Sequence, residues 1–145
     1  MAKQKVLMTG ASGYIASLML PTMRDHFDLV LADVSDTDRD GNKIEGVNIA
    51  DFIDPDRSKY VHLFEGVDAV IHLAFKPHTA RGSELEKAPI DRFDNEHENV
   101  QMANNIYRSA YDAGVRRIAV ASSNHAADWY EHSLIHDRKM DMIRP

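Results

Sequence analysis

Cysteine is absent from the 145 residues. Disulfides, thiolate nucleophiles and zinc–thiolate sites are therefore excluded, and nothing points to secretion. An excess of positive charge is also lacking. Seventeen lysines and arginines face 23 acids, a formal net charge of −6. That balance opposes a protein whose main work is holding nucleic acid, which needs a basic surface. It equally opposes a polybasic membrane anchor. Long apolar runs are missing as well. The N-terminal MAKQKVLMTG breaks its apolar run at Gly10, too soon for a signal peptide or a spanning helix. No nucleic-acid partner, no membrane partner and a cytoplasmic location are the resulting expectations. What remains is an ordinary globular composition, 43% apolar. It predicts one domain with one core over residues 1–145. No repeat at solenoid or propeller period is present.

Apolar runs and helical periodicity alternate along the chain. KVLMT at Lys5 to Thr9, bounded by Gly10, reads as a buried strand. From Gly13 the spacing of Ile15, Leu18, Met19 and Met23 predicts a helix, with Pro21 either kinking it or closing its first half. DLVLADV at Asp28 to Val34 is a second strand. Ser35 to Asn42 is a turn-rich loop. Val47 to Ala50 is a third strand. Pro55 opens a helical stretch to Phe64. DAVIHLAF at Asp68 to Phe75 has the continuous apolar look of a strand covered on both faces. Lys76 to Asp91 is a polar loop. A long helix is predicted from Phe93 to Ala113, stopped by Gly114. RIAVA at Arg117 to Ala121 is a fifth strand. The tail from Ser122 to Pro145 has no clear period. Strands alternating with helices favour right-handed crossovers and a parallel, doubly wound α/β sheet.

Gly10, Gly13 and Ala16 form GxxGxxA between the first strand and the first helix. The first glycine permits the tight turn, the second admits a pyrophosphate, and the third small residue lets helix and strand pack closely. The helix N-terminus then offers N–H groups and partial positive charge to phosphates. Ser12 adds a hydroxyl. A glycine triplet alone is a weak signal, but Asp33 ends the second strand about 20 residues on, where a carboxylate holds ribose hydroxyls. It would repel a 2′-phosphate, and no arginine immediately follows it. NAD is therefore the expected cofactor. The plain alternative is an ordinary strand-to-helix turn with a loop acid.

With TGASGYIA at Thr9 to Ala16, Asp33, IHLA at Ile71 to Ala74 and ASSNH at Ala121 to His125 in order, the chain resembles the extended short-chain dehydrogenase/reductase superfamily. That group includes the NAD-dependent epimerases and dehydratases; ASSNH is most similar to the uronate dehydrogenase branch. The resemblance covers Lys5 to about Tyr130. It implies a Rossmann-type, three-layer αβα sheet of order 3-2-1-4-5. It implies that Gly10, Ser12, Gly13, Tyr14 and Ile15 line the pyrophosphate and that Asp33 binds the adenosine ribose. Asp51 and Phe52 would lie near the adenine. Leu73 and Ala74 would pass the cofactor, Phe75 would crowd it, and Asn99 matches an asparagine of the following helix. Ser123 matches the catalytic serine that hydrogen-bonds the reacting substrate oxygen. Asn124 matches a substrate neighbour, and His125 either contacts substrate or packs beside the strand end. Independently, ligands of open parallel sheets sit at the carboxyl ends of strands, where Ser122 and Ser123 fall. Read alone, the serine pair is more simply a strand-end turn or a helix cap than a catalytic group.

The superfamily's acid/base tyrosine, with a lysine four residues later, is not found. Tyr130 is followed at that spacing by Leu134, and Lys139 is preceded by Ile135. The expectation is the N-terminal half of a longer enzyme, an incomplete NAD-binding domain without its substrate-binding part. A truncated gene product and a fragment both fit that expectation, and the chain is expected to bind NAD without turnover. The substrate would be a sugar or sugar acid, acted on by hydride transfer. The rival is a non-catalytic nucleotide-binding regulatory or interaction protein of the same fold. The resemblance also implies pairing as a homodimer through the helix Phe93 to Ala113. Among eight histidines, His132 and His136 share a helical spacing, but Ser133 stands where a zincin needs glutamate, and no metal site is expected. Trp129 and Tyr130 read as packing residues, Tyr107 and Tyr111 as core or dimer-face residues.

Overall fold

A run such as KVLMT can bury alternate side chains on both faces of a sheet, and it does so here. The computed structural model describes residues 2–77 and 89–123. Its elements are β1 (Lys5–Thr9), α1 (Tyr14–His26), β2 (Asp28–Asp33), β3 (Val47–Ile49), β4 (Ala69–His72), α2 (Pro89–Asp112) and β5 (Arg117–Val120). Two 3-10 turns, Arg57–Lys59 and Val61–Phe64, lie between β3 and β4. All strand pairs are parallel and the order is β3-β2-β1-β4-β5. The sheet therefore reverses direction of growth at β1, between β2 and β4, and opens a crevice there.

Register aligns the strand ends. Thr9 sits opposite both Ala32 and His72, and Asp33 opposite Ile49. Leu7 faces a core formed with Phe52, Tyr60, Phe64, Val70 and the inner side of α2. Its neighbour Met8 faces the other layer, with Ala11, Ala16, Leu20 and Leu31. These are the two interfaces of a three-layer α/β arrangement. Phe52 packs edge-on against Tyr60 and Phe64, with ring centroids 4.9 and 6.2 Å away.

Several elements differ from their sequence pattern. The helix expected from Pro55 to Phe64 is two 3-10 turns. The Asp56 carboxylate accepts from Ser58 N–H and Oγ–H, and Tyr60 Oη donates to the Asp54 carbonyl. Such local bonds offer the chain an alternative to a continuous helical ladder. The strand expected to reach Phe75 leaves the sheet after His72, with Leu73 N–H donating to Thr9 O as the last link. On α1 the buried residues are Ala16 and Leu20, with Met19 and Met23 half-buried, whereas Ile15 and Leu18 are exposed. The helix is turned so that its small residue, Ala16, meets the strands. On α2 the inward residues are Met102, Asn105, Ile106, Ser109 and Ala110. Val100 and Tyr107 are exposed, and Tyr111 is 84% exposed, so neither tyrosine is a core residue. The stop at Gly114 holds: φ is +73°, Gly114 N–H donates to Tyr111 O and Val115 N–H to Ala110 O. That bond pair is a Schellman closure.

Among the described residues no helix is long and apolar enough to cross a membrane, and no group of three potential metal ligands occurs.

Candidate functional site

The glycine turn is built by contact. Gly10 has φ +75°, and a Cβ there would lie 2.5 Å from Ala74 N and 2.6 Å from Leu73 C. Only glycine lets β1 pass this close to the chain leaving β4. Gly10 and Ala11 N–H both donate to Ala32 O, which anchors the turn to β2. Gly13 then caps α1 with extended backbone; no side chain caps this end and no acid occupies the first turn. The first N–H groups of a helix have no intrahelical acceptor, so this end presents donors and positive potential to an anion.

Asp33 is held in place by the same turn. Its Oδ2 accepts from Ser12 N–H at 2.9 Å and Ser12 Oγ–H at 2.8 Å, and its Oδ1 from Val34 N–H at 2.6 Å. A carboxylate has about four acceptor positions. Three are filled, which leaves Oδ1 able to accept one more donor. Just after β3, Asp51 Oδ1 accepts from Ile53 N–H at 2.9 Å, and Ala50 N–H donates to Asp33 O.

These parts border one cleft of about 690 Å³ at the carboxyl ends of the strands. That volume is within the range of small-molecule and cofactor sites, about 300–1,000 Å³. It brings together Gly10, Ser12, Gly13, Tyr14, Ile15, Asp33, Asp51, Phe52, Leu73, Ala74 and Phe75, all named from the sequence. The Phe52 ring itself is in the core, so it borders the cleft at the edge of the aromatic cluster. Ala16, Val34, Ala50, Ile53, Lys76, Pro77 and Met102 complete the lining. Most of these adjoin residues already named. Met102 carried only its spacing of three from Asn99 as a signal.

Asn99 does not line the cleft. It clamps the backbone of Lys76, accepting from its N–H at 2.8 Å and donating to its carbonyl at 3.0 Å, while Lys76 Nζ pairs with Glu98. It thus fixes the wall that it was expected to join. Arg39 reaches back from the loop after β2, with its guanidinium 5.3 Å from the centre of the Tyr14 ring. His72 lies beneath the cleft: Thr9 Oγ1 is 2.8 Å from its Nδ1, and burial holds its pKa below the ordinary imidazole value. Ser123 follows β5 and is exposed, outside the cleft lining. Asn124, His125, Trp129, Tyr130, His132 and His136 lie outside the described residues.

Residues 6–142 match the NAD dependent epimerase/dehydratase family. The chain belongs to that family. It is 35% identical, over 98% of its length, to an NAD-dependent glucose-6-phosphate dehydrogenase of Haloferax volcanii, and covers 50% of that protein. It is 30% identical, over 89% of its length, to a uronate dehydrogenase of Pseudomonas syringae pv. tomato, covering 43% of it. Among solved structures, uronate dehydrogenase from Agrobacterium tumefaciens superimposes with a TM-score of 0.60 at 27% identity, over 86% of this chain and 42% of that one. A UDP-glucose 4-epimerase from Bifidobacterium longum in complex with NAD+ and UDP shares the fold, with a TM-score of 0.66 at 18% identity over 86% of this chain and 38% of that one. The chain spans about half the length of the curated relatives it matches. The family is NAD-dependent, and its Rossmann-type order of strands is the one found here.

Proposed function

We propose that this chain is the NAD-binding part of an oxidoreductase or epimerase acting on a sugar or sugar acid by hydride transfer. The observation that carries the reading is the cleft at the β1 switch point. A close glycine turn leads into a helix N-terminus, and an aspartate held by Ser12 of that same turn stands beside it. The chemistry of these groups fits NAD. The α1 terminus would receive the pyrophosphate, and Asp33 Oδ1 would accept a ribose hydroxyl and repel a 2′-phosphate. Asp51 would face the adenine and the Leu73–Phe75 segment the nicotinamide half. When bound, NAD supplies the hydride acceptor. Ser123, at the carboxyl end of β5, would donate to the substrate oxygen as charge develops there, with Asn124 and His125 in contact with substrate. Asn99 acts in this reading by holding Lys76. Names of the relatives support a sugar-derived substrate: glucose 6-phosphate in one and a uronate in two others.

The test is a titration with NAD and NADP, followed by a hydride assay with a uronic acid, glucose 6-phosphate and sugar nucleotides. Saturable binding of NAD, tighter than that of NADP, is expected. No binding of either nucleotide would remove the reading. Binding of NAD with no NADH formed would instead support nucleotide binding without chemistry.

A further inference from the structure

The wall of the cleft after β3 is held from behind by a residue that the sequence did not mark. Asn105, on the inner side of α2, is 7% exposed. Its side-chain amide donates to three consecutive carbonyls: Phe52 O at 2.9 Å, Asp54 O at 3.3 Å and Ile53 O at 3.5 Å. Two hydrogens shared among three acceptors fix the direction of the whole segment. On its other side the segment is tied to Asp51, whose Oδ1 accepts from Ile53 N–H. The carboxylate of Asp51, exposed and lining the cleft, is therefore placed by the loop, and the loop is placed by Asn105. Met102, three residues earlier on α2, lines the same cleft. One helix thus sets this wall through a buried polar anchor and an apolar contact.

We propose that Asn105 is a positioning residue for base selectivity: it holds the Phe52–Asp54 carbonyls so that the Asp51 carboxylate meets the exocyclic amino group of an adenine. The proposal rests on the reading of the cleft as an NAD site. Its chemistry is directional. Asp51 Oδ2 can accept from the 6-amino group of adenine, whereas hypoxanthine presents an oxygen at that place and offers no donor. A hydrogen bond to a charged group makes the expected preference about 10-fold or more. Asparagine is suited to the anchor because its amide carries two donors in one plane. Alanine keeps the helix and removes both.

The experiment compares NAD with nicotinamide hypoxanthine dinucleotide, using the intact chain and Asn105→Ala. The wild-type protein is expected to bind NAD about 10-fold or more tightly than the hypoxanthine analogue. In Asn105→Ala that ratio is expected to fall to within about 3-fold, because a displaced carboxylate loses its directional bond. A purely structural role would weaken both ligands together and leave the ratio unchanged, which would overturn the proposal. A measurement without a variant guards against misfolding. In the nitrogen-15-labelled wild type, AMP is expected to shift the Asn105 side-chain amide and the backbone amides of Ile53 and Asp54, and nicotinamide mononucleotide is not. Binding of AMP that leaves these signals in place would refute the positioning role. If wild type fails to bind NAD, the cofactor reading and this proposal fall together. If it binds NAD without base preference, only this proposal falls.

Discussion

Gly10→Ala tests the most constrained point of the cleft. Two costs add. The first is conformational: at φ +75° a residue with a Cβ costs about 1–2 kcal/mol. This is offset by about 0.4–1 kcal/mol, because alanine has less freedom to lose from the unfolded chain. The second is steric. The new Cβ would meet Ala74 N at 2.5 Å, Leu73 C at 2.6 Å and Ala74 Cα at 2.7 Å. All three are backbone atoms, so no side chain can swing aside. Overpacking of this kind costs about 1–3 kcal/mol. Gly66→Ala supplies the control. Gly66 has φ +66°, and a methyl group there would meet nothing within 4 Å, so it carries the conformational cost alone, about 1 kcal/mol net. Gly10→Ala should therefore cost about 2–4 kcal/mol. At roughly 3–4 °C per kcal/mol for a domain of this size, that is a fall in Tm of about 6–16 °C, against about 3–4 °C for the control. Thermal unfolding followed by circular dichroism measures both. Equal shifts in the two variants would refute the argument, since they would mean that the β4 exit yields freely to the extra carbon. In the same variant, NAD affinity is expected to fall, because the turn is displaced away from Ala74.

Ser12→Ala removes one donor from Asp33, and Asp33→Asn removes the charge. NAD affinity should drop about 10-fold or more in the second and less in the first, with the margin over NADP narrowing in Asp33→Asn, as read by calorimetric titration. His72 is held neutral by burial, so the unfolded chain takes up its proton first as pH falls. Its stabilising contribution is full above the ordinary value near 6.5 and declines as pH drops through 6.5 toward the lower folded value. Urea unfolding of wild type minus His72→Gln across pH 5 to 8 should show that slope, and a flat difference would sink the assignment. The hydroxyl of Ser109 is fully buried without a hydrogen-bond partner among the described residues. Ser109→Ala should raise stability by up to about 1–3 kcal/mol, and a loss in denaturant melts would show a missed partner. Tyr111 is 84% exposed, and Ile118 and Val120 are 37% and 46% exposed. Association through this face is expected in light scattering, reduced by Tyr111→Glu, and a monomer at high concentration would count against it.

Much of the site is legible along the chain because its signals are local. Gly10 and Asp33 sit at the ends of strands recognisable from their own apolar runs, Gly13 opens the helix that follows the first of them, and a parallel sheet gathers strand ends on one edge. Asp51, Leu73 and Ala74 are implied by the family resemblance, and the structure sets each of them just after a strand. Residues that act on the cleft through the backbone are not legible this way. Nothing in the sequence says that Asn105 reaches Phe52, or that Asn99 clasps Lys76 instead of lining the cleft. Those bonds join segments more than 20 residues apart, and an asparagine on a helix looks like any solvated polar residue until a loop is laid against it.

The sequence by itself thus determined the order of elements, the glycine turn and its acidic partner, because periodicity and turn chemistry act over a few residues. The tertiary structure decided the rest. It turned α1 so that Ala16 meets the strands and leaves Leu18 in solvent. It also made Gly10 obligatory, through an approach to Ala74 that no local pattern records. The physical reason is common to both: each outcome depends on which distant backbone arrives at a given surface, and that is set by the sheet's register, not by neighbours in sequence.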